Sequence, residues 1–154
     1  MSRSFLIIVV LFSLNLFAQQ KTNVPFLLEN ESKLSFTQTI DSLKNCGNRN
    51  GWKVLTIHDL QQSLKKNGKE VLSANVIELC NPKYSYEVLK DDNSKLISTM
   101  MPCRISVYEK ANGKTYISRI NPEFLYNSFD NSKSDGMSKA IEEIESVLNK
   151  LIVK

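Results

Sequence analysis

Apolar and polar positions alternate along this chain in two periods. Residues 103–109 place Cys103, Ile105 and Val107 on one side and Arg104, Ser106 and Tyr108 on the other, a strand pattern. Asn112-Gly113 supplies a hairpin turn, and residues 115–120 supply the returning strand. Residues 52–57 form an earlier strand with both faces at least partly covered, and residues 71–79 form the next. A short first strand is expected at residues 34–36. Helical spacing links Phe36, Ile40, Leu43 and Cys46 in a helix that opens at Thr37 or Thr39 and stops at Asn50-Gly51. It recurs more strongly in Met137, Ala140, Ile141, Ile144, Leu148 and Leu151, the longest helix, opened by Ser134 or Asp135.

Capping signals place the shorter helices. Asp59 with Gln62 forms a capping box for a helix that ends near Asn67-Gly68. Asn81-Pro82 and Asn121-Pro122 each pair an N-cap asparagine with a proline suited to the first helical position. The first opens a helix carrying Tyr84, Val88 and Leu89, and the second a short helix around Phe124 and Leu125. Residues 91–94 break the chain before an apolar stretch at 96–101, and residues 127–136 form a polar loop. The predicted order is β-α-β-α-β-α-β-β-α. This is an α+β two-layer sandwich, a mixed β-sheet with helices packed on it.

The N-terminus carries a different pattern. Arg3 precedes an almost unbroken apolar run at residues 5–14, and Ala18 offers a small residue before a cut. Residues 1–18 therefore read as a signal peptide, 19–33 as a flexible lead-in, and 34–154 as the domain. The run is shorter than the roughly 20 residues of a membrane span, and the mature chain is expected not to be membrane-embedded. Export to the periplasm or the exterior follows, and disulfides persist there. The hydrophobic content of 42% and charged content of 23% are ordinary globular values. A net charge of +4, spread along the chain, gives little reason to expect nucleic-acid contact.

Several chemistries are absent from the pattern. The five glycines make no phosphate loop, no Cys-x-x-Cys pair exists, and His58 is the only histidine. What remains is one constellation. His58, Cys80 and Cys103 each stand at the end of a predicted strand, with Met101 and Asn81 beside the cysteines. If the sheet brings those ends together, imidazole, thiols and a thioether converge. Such donors suit Cu(I) or a haem better than Mg or Ca.

Three readings stay open. Cys80 and Cys103 are small core residues or a disulfide. They hold a small ligand or soft metal, with His58, Cys80, Met101 and Cys103 as metal ligands and Asn81 beside them. Or Cys80 is a catalytic nucleophile resolved by Cys103. The corresponding functions are a binding or accessory domain, a small thiol-dependent redox enzyme, and a purely structural interaction domain. Cys46 belongs with the first helix's apolar face. Glu142, Glu143 and Glu145 read as the solvated face of the last helix.

The sequence resembles the domain-of-unknown-function family 302. The likeness rests on Thr39-Ile40, Gly51-Trp52-Lys53-Val54, His58-Asp59-Leu60, Cys80-Asn81-Pro82, Met101-Pro102-Cys103-Arg104-Ile105, Val107-Tyr108-Glu109 and Gly113-Lys114, over roughly residues 34–150. The resemblance implies a compact α+β domain, a homodimer, and no established activity. Its motif cysteines match Cys80 and Cys103, whereas Cys46 and Gly47 depart from its pattern.

Overall fold

The computed structural model describes residues 24–49, 51–128 and 135–153. Five strands form one sheet in the order β1-β5-β4-β3-β2. They are β1 (Leu27–Glu31), β2 (Lys53–Asp59), β3 (Ala74–Cys80), β4 (Cys103–Glu109) and β5 (Thr115–Ile120). The helices are α1 (Phe36–Arg49), α2 (Leu60–Lys65), α3 (Pro82–Leu89), α4 (Pro122–Ser128) and α5 (Asp135–Leu151), with a 3-10 helix at Ser94–Met100. Among the described residues no helix is long and apolar enough to cross a membrane. The leader at residues 1–18 and most of the polar loop at 127–136 lie outside the described residues.

The α+β class and the two-layer plan hold, with strands and helices broadly in the expected order. The sheet is antiparallel at every pairing, however, not mixed. A helix between two strands does not by itself make them parallel. Here each link goes out and comes back: α2 and its following loop reverse the chain before β3, and α3 and the 3-10 helix reverse it before β4.

Three further expectations changed. The first strand is Leu27–Glu31, inside the expected lead-in, and it pairs with β5 at the sheet edge. β2 is the other edge strand, and its Leu55 is exposed beside a register shift, so its two faces are not both covered. The apolar stretch at 96–101 is largely the 3-10 helix, with Ile97 buried.

Alternation sorts the sheet into a packed face and an open one. Ile77, Leu79, Ile105, Val107 and Ile117 are buried against Leu43 of α1 and Leu148 of α5. Arg104, Ser106 and Tyr108, one step out of phase, are not buried, as an antiparallel sheet with one solvated face allows. A second apolar cluster gathers Val88, Ile97, Leu125, Met137 and Ile141, with Met100 and Met101 packed against it.

The N-cap readings hold in detail. Asp59 accepts from the Gln62 backbone N–H at 2.8 Å. Asn81 accepts from Lys83 N–H at 3.1 Å, and Asn121 from Glu123 N–H at 3.0 Å. Gly113 takes a φ of 74° in the β4–β5 hairpin.

α3 and α5 meet at Gly136. A Cβ at that position would stand 2.7 Å from Cβ of Glu87 and 3.1 Å from the carbonyl oxygen of Tyr84. Glycine thus permits the close crossing of these two helices, and the crossing roofs the site.

Candidate functional site

Cys80 ends β3 and Cys103 begins β4. The register sets Leu79 opposite Cys103, so Cys80 is one residue beyond that pair at the same end of the sheet. Met101 precedes Cys103 through a cis bond to Pro102. Met137 enters from the first turn of α5, next to Gly136. All four sulfur side chains line one small cavity of about 20 Å3, bordered by Tyr84, Ser85 and Val88 of α3. Both thiols are free, so the disulfide alternative is not formed here. Cys80 Sγ and Ser85 Oγ lie 3.1 Å apart, within hydrogen-bonding range.

Burial pushes the Cys103 thiol up to about 11, with the neighbouring Cys80 adding to the shift. This half-buried thiol therefore stays protonated near neutral pH. Asn81 also lines the cavity, but its side-chain oxygen caps α3.

His58 does not join them. Antiparallel pairing puts Lys53 beside Cys80 and His58 beside Val76, so His58 stands near the opposite end of β3. Four residues of strand separate the two positions, roughly 13 Å. The expected convergence took the C-terminal ends of β2 and β3 to be neighbours, which parallel strands would require. His58 is 47% exposed, and its Nε2 lies 3.2 Å from Glu78 Oε1. That oxygen also meets Arg104 Nη2 at 3.3 Å. Among the described residues no three His, Cys, Asp or Glu side chains cluster to hold a metal ion. A soft-metal set would thus be two thiols and thioethers, without imidazole. The Cys46 side chain lies outside the described residues.

The chemistry of the neighbouring cavity escaped the pattern reading. A space of about 60 Å3 shares Cys103 and Met137 with the first and adds Met100, Ile105, Leu125 and Ile141. Arg119 and Glu145 stand on its wall. Arg119 Nε donates to Glu145 Oε1 at 2.7 Å and Nη2 to Oε2 at 2.8 Å. Nη1 donates to Asn30 Oδ1 of β1 at 2.7 Å. The side chains are only 7% and 21% exposed. Glu145 is therefore not on a solvated face, and Glu143 accepts a 2.7 Å bond from the Tyr84 hydroxyl. The signal was available: Arg119 shares the core-facing phase of Thr115 and Ile117, and Glu145 is four residues from Ile141 on the buried stripe.

The chain matches the family model described as "Domain of unknown function DUF302" over residues 28–151. The chain belongs to the DUF302 family. A crystal structure of an uncharacterized conserved DUF302 protein from Bacillus stearothermophilus is similar to it. The alignment has a TM-score of 0.70 and 22% identity, covering 80% of this chain and 96% of that one. That likeness shows the DUF302 fold alone. No curated protein matches the chain.

Proposed function

We propose that this DUF302 domain is an exported binding module whose sulfur-lined cavity takes a soft monovalent metal ion, Cu(I). One observation carries the reading: Cys80, Met101, Cys103 and Met137 arrive from three separate elements to line one small cavity. Thiolate and thioether donors favour Cu(I) over hard cations. A haem fits less well, because His58 stands apart and the cavity, about 20 Å3, has room for little more than a water-sized group. The resolving-thiol alternative is weakened by Cys103, whose raised pKa leaves little thiolate to attack a mixed disulfide at Cys80. The apolar leader remains the support for export.

The test is an anaerobic titration against a chromogenic Cu(I) chelator. One equivalent should be withdrawn, with a thiolate-to-copper absorption, and Cys80→Ser or Cys103→Ser should abolish it. Because Cys103 must lose its proton to bind, affinity should rise with pH, by about tenfold per unit for one released proton. No withdrawal of Cu(I) at a stoichiometric excess of protein overturns the reading.

A further inference from the structure

We infer that α2 and the loop after it form a docking surface for an anionic phospholipid bilayer. α2 has no buried residue. Its Leu60 and Leu64 are four apart, on one helical stripe, and each is 41% exposed. The following loop folds back along the helix: Lys69 N–H donates to the Leu64 carbonyl at 3.1 Å, and the Gln61 side-chain amide donates to the Val71 carbonyl at 2.9 Å. That return brings Val71 and Leu72, 42% and 51% exposed, onto the same excursion. Four aliphatic side chains thus project from one short outlying segment, where a surface helix normally turns its stripe inward.

The charges around them name the partner. Residues 60–72 carry three lysines, Lys65, Lys66 and Lys69, against the single acid Glu70. The nearby Asp59 carboxylate is committed to capping α2. Among the described residues none of these lysines makes a salt bridge. Aliphatic side chains beside unpaired lysines complement an acyl boundary beneath anionic headgroups. The sulfur-lined cavity lies at the other end of β3, so a docked bilayer would leave its mouth clear.

The test uses the purified mature chain from residue 19, without the apolar leader, and phosphatidylcholine vesicles with or without phosphatidylglycerol. Cosedimentation is expected only with phosphatidylglycerol, and added salt should reverse it. The triple variant Lys65→Gln/Lys66→Gln/Lys69→Gln should weaken partitioning by about a hundredfold, since each lysine near such a surface contributes roughly fivefold. Leu60→Ser/Leu64→Ser should weaken it similarly, with thermal unfolding unchanged because both side chains are exposed. Equal partitioning of all three proteins overturns the inference. So does a dimer in sedimentation equilibrium that the leucine variant dissociates while vesicles retain neither protein; the patch would then join two copies of the chain.

Discussion

Cys103 carries two measurable consequences of its surroundings. Its thiol sits near 11 when folded, against an ordinary value near 9. An acid with a raised folded pKa holds its proton more tightly in the native state. Its stabilising contribution is therefore complete below pH 9 and is lost as pH climbs through 11. Unfolding free energy should fall by about 2 kcal/mol across that window, and Cys103→Ala should remove that share of the slope. The same shift should slow iodoacetamide labelling of Cys103 roughly a hundredfold relative to a free thiol near pH 8, read by mass spectrometry. Arg119 poses a different problem, a guanidinium buried against a carboxylate. Glu145→Ala strands it and should cost about 3–5 kcal/mol in urea unfolding. Replacing Arg119 and Glu145 together by methionines should cost far less, because the desolvation penalty of both charges disappears with them.

Helix contact, at the next scale, depends on Gly136. Alanine is ordinarily the better helix former by about 1 kcal/mol. Here its methyl would press on the β-carbon of Glu87 and the Tyr84 backbone, neither of which is a flexible end. Overpacking of this kind costs about 1–3 kcal/mol, so Gly136→Ala should be net destabilising by chemical denaturation. It should also weaken Cu(I) uptake, since α3 and α5 both line the sulfur cavity. The two Asn-Pro openings have a simpler energetics. Asn81→Ala should cost at least about 1 kcal/mol through the lost cap.

Over the whole molecule, features that depend on near neighbours in sequence were the legible ones. Asp59, Asn81 and Asn121 announce their helices because a cap bonds two or three residues on. The β4–β5 hairpin is declared by Asn112-Gly113 within a few residues. The convergence of Cys80 with Cys103 could be read from strand ends, and their register bears it out. What eluded the pattern depends on direction and distance. Nothing in the residues of β2 states that it runs against β3, and that alone moved His58 away from the thiols. β1 was missed because Leu27 is exposed and the strand's phase is weak, its place being secured by Arg119 and by Asn121, whose side chain donates to the Pro25 carbonyl.

That placement of β1 also orders events in time. Strands β2 to β5 pair with their neighbours in sequence, so most of the sheet can assemble as it is synthesised. β1 emerges earliest, yet Leu27 must find Ile120, and Ser32 bridges to Ile152. Closing so long a loop is slow compared with forming a hairpin. The beginning of the chain therefore stays unpaired until almost all of it has been made. A polypeptide built this way completes its sheet with the strand it made first.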